Sequence, residues 1–175
     1  FLLVSCNRWL KNNYRAMLAL DELFTTHSKW MDGFKVVALG APRPEIFTKD
    51  IKNTDKFIFR GYVDADELEA LYKHAFLFLY PTLNEGFGYP PLEAMKYNTL
   101  SACSGVTSIP EACGDAVLYF NPYDIMEIKN RVIESFDMSI RKEKVSIMVN
   151  QFSKIDKAQQ QALENIVELI LGCHE

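Results

Sequence analysis

Hydrophobic residues along the chain fall into short unbroken runs: FLLV (1–4), FKVVAL (34–39), FIF (57–59), AFLFLY (75–80), LSAC (100–103) and AVLYF (116–120). They do not alternate with polar residues, so the pattern predicts strands buried on both faces, as in a parallel sheet. Between the runs the period changes. Tyr14, Met17, Leu18, Leu20, Leu23 and Phe24 form a stripe at helical spacing, and Leu68, Leu71 and Tyr72 form another after the acidic start DADE (64–67). Carboxylates in a first turn suit the positive end of the helix dipole. Strands alternating with helices predict a doubly wound α/β domain of about six strands with right-handed crossovers. Beyond residue 122 only helices are expected. One starts at NPYD (121–124) and buries Ile125, Ile128, Val132 and Ile133, and a second covers about 139–150. A third is capped by Ser153, with Asp156 three residues on as in a capping box. Ile155, Ala158, Ala162, Ile166, Leu169 and Ile170 make its apolar stripe, part of which should stay exposed over 154–172. With no internal repeat or linker, residues 1–175 read as one domain.

Composition narrows the function. The chain has 175 residues, 49% hydrophobic and 24% charged, enough for one sizeable core. A net charge of −4 without a basic tail gives a nucleic-acid partner no electrostatic support. The apolar runs are too short to span a bilayer, so no transmembrane segment is expected here. Starting at Phe1, inside a predicted strand, suggests a fragment. Cys6, Cys103, Cys113 and Cys173 lack metal or redox spacing and read as reduced thiols of a cytosolic protein.

In a sheet of this kind ligands bind beyond the carboxyl ends of the strands. Three loops there carry chemistry. SCNRWLKNN (5–13) has neither GxGxxG nor GxxxxGK[ST], which argues against a dinucleotide site and a P-loop. It offers Arg8 and Lys11 where an anion would rest; two solvated charges at a helix start is the plainer alternative. RGYVDADE (60–67) places Gly61 directly after a strand, open to a flat ligand, while Tyr62 could instead pack on the next helix. The richest loop is YPTLNEGFGYPPLEAM (80–95). Gly86 and Gly88 permit positive φ, and Pro90 and Pro91 suit a helix's first turn. Glu85 and Glu93 are placed one turn before and within that first turn. Free N–H groups around 86–89 make an anion site, and two carboxylates can accept from hydroxyls at the ends of one ligand. Helix capping by Glu93 and a solvated Glu85 would explain the same residues. Phosphate at the helix start, flanked by a polyol and a ribose, would occupy every part, and that is the shape of a nucleotide sugar.

Glu85-Gly-Phe-Gly-Tyr-Pro-Pro-Leu-Glu93-Ala-Met resembles the E-x7-E signature of family 4 glycosyltransferases, the retaining GT-B enzymes. FRGYVDADELEALYKHA, SIPEACGDAVLYFNPYD and the Lys11-Asn12 pair resemble further blocks of that family, in order, over about residues 1–155. The resemblance implies a Rossmann-like, mostly parallel sheet with C-terminal helices, the donor-binding half of a GT-B fold whose acceptor-binding N-terminal half is absent. It implies Glu85 at the donor sugar and nearest the reaction, Glu93 on the ribose, and backbone N–H groups of Phe87, Gly88 and Tyr89, beside Gly86, facing sugar and diphosphate. Lys11 would hold the diphosphate, and Arg8, two residues past the family's usual arginine position, would be a second ligand. The Gly61-Tyr62-Val63 turn would hold the nucleobase. The implied activity is retaining transfer from a UDP- or GDP-hexose to a glycan or lipid-linked acceptor, in the cytoplasm, with the full-length enzyme peripheral at the membrane and the isolated domain inactive. No cofactor or metal is expected. The acidic run 64–67 reads as a helix start, and His27, His74 and His174 are scattered. A sugar-nucleotide 2-epimerase half, or a non-catalytic nucleotide-sugar-binding domain, are the alternatives.

Overall fold

The structure, a computed structural model, describes residues 1–41 and 45–172. All six predicted runs contribute strands: β1 (Leu2–Leu3), β2 (Val36–Leu39), β3 (Phe57–Arg60), β4 (Phe78–Tyr80), β5 (Ser101–Ser104) and β6 (Leu118–Phe120). They form one fully parallel sheet in the order β3-β2-β1-β4-β5-β6. The chain therefore winds outward from β1 to β3, returns to lay β4 against the other side of β1, and winds outward again. The order reverses between β1 and β4, and a crevice for ligands is expected above that point.

Helices fill the connections: α1 (Asn13–Thr26), α2 (Glu45–Thr48), α3 (Ala65–His74), α4 (Tyr89–Lys96), α5 (Ile109–Cys113), α6 (Ile125–Glu134) and α7 (Met138–Gly172). The acidic starts work as capping devices. Asp64 accepts from the Glu67 amide ahead of α3, and Asp124 accepts from the Met126 and Glu127 amides ahead of α6. The central strands β1, β4 and β5 are wholly buried. Burial on both faces fails at the edge strand β3, where Phe57 and Phe59 pack with the core and Ile58, on the opposite face, is exposed.

The helical tail also differs from expectation. Two helices separated near residue 151 were predicted, with Ser153 as a cap, but α7 runs unbroken for 35 residues. Nothing between 138 and 171 is Gly or Pro, and Val145, Met148, Phe152 and Ile155 continue one stripe against the core. Gln151 donates to the Ala112 carbonyl at 2.8 Å, anchoring the turn where the break was expected. Ser153 thus lies in a helix interior with no end to cap. Beyond residue 160 the helix has no buried face, and Leu163, Ile166, Val167, Leu169, Ile170 and Leu171 are all exposed. A contiguous apolar stripe of this size favours association. A chain ending at Gln160 should keep its melting temperature and lose concentration-dependent self-association in sedimentation velocity. If self-association persists, the adhesive surface lies elsewhere.

Candidate functional site at the switch point

The chain leaves β1 through Ser5, tightens into a 3-10 turn over Trp9–Lys11, and enters α1 through Asn12, a left-handed residue with φ 55°. Asparagine tolerates that conformation better than most residues. Its buried side chain donates to the carbonyls of Pro81 (3.0 Å) and Pro122 (2.8 Å) and accepts from Arg15 at 2.7 Å. One amide thereby ties together the exits of β1, β4 and β6. Lys11 and Arg8 precede α1 rather than sitting on its N-terminus, and Lys11 closes the 3-10 turn, where a cation is favoured.

From that position the Lys11 ammonium donates to the Tyr80 hydroxyl at 2.6 Å and forms an ion pair with Glu85. Tyr80 ends β4 and is fully buried; its hydroxyl in turn donates to the Glu85 carboxylate. The two charged side chains are only 12% and 16% exposed. Burial works against the ionised Glu85, but the bonds from Lys11 and Tyr80 outweigh it and hold the carboxyl below its ordinary range. Burial, then the hydrogen bond to Glu85, pushes the Tyr80 phenol up, so it stays a neutral donor. The backbone of Glu85 is fixed as well: its N–H donates to Thr107 Oγ1 (3.2 Å) and its carbonyl accepts from Ser108 Oγ (2.9 Å).

A carboxyl with a lowered folded pKa contributes stability above its unfolded value, lost as pH falls through the folded one. The Glu85 contribution should therefore be fully present above the ordinary glutamate value of about 4.3 and be lost as the pH falls from there through the lower folded value. Chemical denaturation across about pH 6 to 3 should show a shallower acid loss for Glu85→Gln than for the parent chain. Parallel profiles would mean that the ion pair adds nothing to folding.

After Glu85 the chain turns at Gly88, φ 107°, into α4. The conformation favours glycine, and a Cβ there would also be tight against Ile109 Cδ1 at 3.1 Å. Gly86, expected to share the positive φ, does not adopt it. The N–H groups of Phe87, Gly88 and Tyr89 have no acceptor among the described residues, and Pro90 and Pro91 have no N–H. A helix start with three unspent donors is suited to an anion. Glu93 was placed in the first turn of this helix, but it is the fifth residue of α4, because the helix begins at Tyr89, ahead of the prolines. It is exposed, and its carboxylate accepts from Tyr72 of α3 at 3.0 Å. The two glutamates thus stand on separate supports, Glu85 on the β1 exit and Glu93 on α3.

The other candidates are less engaged. Tyr62 is 93% exposed and packs on nothing, whereas Val63 packs against the core. Gly61 is exposed, with nothing within 4 Å of where a Cβ would stand. Arg8 does not join Lys11. Its guanidinium has no hydrogen-bond or ion-pair partner among the described residues, and it lines a cleft with Trp9 and Arg15. The histidines stay out of the site: His27 follows the last turn of α1 and His74 ends α3, while His174, like Cys173, lies outside the described residues. Cys6, Cys103 and Cys113 are free and buried, and burial pushes the Cys6 thiol up to about 12. Asp64-Ala65-Asp66 does have Asp-x-Asp spacing, but Asp64 is spent on capping α3. Among the described residues no three His, Cys, Asp or Glu side chains gather as a metal set, and no helix is long and apolar enough to cross a membrane.

Sequence reasoning missed Tyr80, Tyr72, Thr107 and Ser108. A signal existed for Tyr80: a phenol that closes an apolar strand must find a partner once buried. Tyr72 and Ser108 lie in the quoted family blocks, but nothing local assigns them or Thr107 a place in the site.

Residues 2–137 match the family described as glycosyl transferases group 1. Over 79 residues the chain is 46% identical to a serotype-specific mannosyltransferase of Escherichia coli, a match covering 45% of this chain and 10% of that protein. It is 44% identical over 77 residues to O-antigen chain mannosyltransferase B of Escherichia coli, covering 44% of this chain and 20% of that one. The matched region is a fifth or less of either relative's length. Among solved structures, a UDP-forming α,α-trehalose-phosphate synthase from Burkholderia vietnamiensis superposes with a TM-score of 0.81 at 12% identity, over 95% of this chain and 44% of that one. At such identity the likeness carries the fold alone, which is that of one half of a GT-B glycosyltransferase. Together with the family match over most of its length, this places the chain in the group 1 glycosyltransferases.

Proposed function

We propose that this chain binds a UDP- or GDP-linked hexose and is the donor half of an enzyme that transfers the sugar, with retention, to a glycan or lipid-linked acceptor. The observation that carries the reading is the meeting of Lys11, Tyr80 and Glu85 at the switch point, in the loop that leads to the unspent amides of α4. An ammonium and three free N–H groups suit a diphosphate. Arg8 adds a second cation at the same loop. Glu85 accepts from the sugar hydroxyls, and Glu93, on the α3 side, accepts from the ribose. The base lies along Gly61, Tyr62 and Val63, where an exposed tyrosine and an open glycine leave room for a flat ring.

The chemistry follows from where charge develops. As the glycosyl–phosphate bond breaks, the leaving diphosphate gains negative charge, and Lys11, Arg8 and the α4 amides stabilise it. Fixed donors of this kind are most effective in a water-poor cleft. In this reading they replace a metal. Glu85 acts as a positioning carboxylate that orients the sugar, since Lys11 and Tyr80 hold it ionised and immobile. The acceptor half, elsewhere in the full-length polypeptide, closes the cleft, so this chain alone binds nucleotide without transferring sugar, and does so in the cytoplasm.

A thermal-shift panel of UDP, GDP and their hexose conjugates tests the reading, because a ligand that binds only the folded chain raises its melting temperature. One base series should stabilise the chain, and Glu93→Ala should weaken that nucleotide by about 1.5–3 kcal/mol, the value of a lost charged hydrogen bond. A flat response to both series would remove the nucleotide from the proposal.

A further inference from the structure

The cleft lined by Arg8 has a volume of about 990 Å³, the size of a small-molecule site. It opens between the 9–11 turn, the start of α1, α2 and the segment around Tyr123. Of the donor candidates named above, only Arg8 lines it. Among the described residues the lining of the cleft has no carboxylate but three cations, Arg8, Arg15 and Lys49. Lys49 has Asp50 at 3.8 Å, and Arg8 is assigned to the donor diphosphate, which leaves Arg15 as the charge for a second anion. Arg15 is held in place by Asn12 at 2.7 Å, with its guanidinium 5.6 Å from the Tyr123 ring centre. Two aromatic side chains also line the cleft with little cover from the chain itself: Trp9 is 79% exposed and Tyr123 63%.

Large aromatics left bare beside the fixed guanidinium of Arg15 suit a ligand with an apolar ring face and an anionic group. The CH face of a pyranose lies flat on an indole or phenol ring, and a guanidinium fork matches phosphate oxygens. The cleft also adjoins the loop that carries Glu85. Leu83 lines it, donates its N–H to the Leu10 carbonyl at 2.7 Å, and stands two residues before Glu85. The geometry points to an acceptor subsite for a phosphate-bearing saccharide, with the sugar on Trp9 and Tyr123 and the phosphate on Arg15. It rests on the proposed transferase function, and it assigns part of acceptor recognition to the donor-binding half.

The chain has two tryptophans, so Trp30→Phe leaves Trp9 as the sole reporter. In that background, with the preferred nucleotide at saturation, Trp9 fluorescence is titrated with mannose 6-phosphate, mannose and inorganic phosphate. Mannose 6-phosphate should give a saturable change at lower concentration than either part alone. Arg15→Gln should weaken it about tenfold or more, and Tyr123→Ala should weaken it without affecting inorganic phosphate, while nucleotide affinity is unchanged in both. Phosphatidylcholine vesicles with and without an isoprenoid-linked sugar phosphate distinguish the sources: a response only to the loaded vesicles marks a lipid-linked acceptor, and a response to soluble sugar phosphate alone a free one. No saturable response to sugar phosphate or to loaded vesicles, or a response indifferent to Arg15 and Tyr123, overturns the subsite. If no nucleotide binds and the sugar phosphate still does so through Arg15, the cleft remains a saccharide-phosphate site and its acceptor role falls with the transferase reading.

Discussion

Glu85→Ala is expected to lower sugar transfer by the full-length enzyme about 10²- to 10³-fold, the scale of losing one fixed polar contact at a reacting centre. The same change should leave UDP or GDP binding intact or slightly tighter. The reason lies in the ligand-free arrangement: Glu85 is the internal counter-ion of Lys11, and its removal frees the ammonium for the diphosphate. Single-turnover kinetics and calorimetry on one variant read both effects. Parallel losses of nucleotide affinity and turnover would contradict the assigned division, because they would make Glu85 a nucleotide ligand.

Lys11→Ala should act in the opposite way. It removes a cation from the diphosphate and should weaken UDP or GDP by about 1.5–3 kcal/mol, roughly ten- to a hundredfold, while nucleoside binding changes little. It also leaves Glu85, which is mostly buried, with Tyr80 and the Gly86 N–H as partners. Some destabilisation of the ligand-free chain is therefore expected in denaturant titrations. Lys11→Arg should restore part of the charge but not the geometry, because a planar fork cannot reproduce a point contact with the Tyr80 hydroxyl. Unchanged diphosphate affinity in Lys11→Ala would place the diphosphate elsewhere.

The opposite signs expected at Lys11 and Glu85 could not be read from the chain as written. The sequence showed which residues could carry the chemistry, but each was assigned to a ligand separately. Their contact depends on the strand order, which puts β4 beside β1 although 74 residues separate Lys11 from Glu85. Unbroken apolar runs were enough to locate all six strands, because burial on both faces leaves no other pattern. The same rule misjudged β3, since an apolar run does not reveal which strand will end the sheet. The continuity of α7 was hidden by a local signal. Ser153 and Asp156 have capping-box spacing, yet the apolar stripe continues through them and tertiary packing decided the outcome. Similarly, Pro90 and Pro91 marked a helix start correctly but not its first residue, so Glu93 moved from the first turn to the second. Positive φ was expected at Gly88 and is adopted there, but the close approach of Ile109 from α5 to that position is a contact no motif records.

Amide NMR of the ¹⁵N-labelled chain titrated with UDP and GDP tests the central claim most directly. If the donor diphosphate sits at the switch point, one nucleotide should shift the Phe87, Gly88 and Tyr89 amides most, with smaller shifts around Lys11 and Gly61, and Lys11→Ala should abolish or reduce the response. Saturable shifts centred on any other part of the surface, with residues 86–89 unmoved, would contradict it.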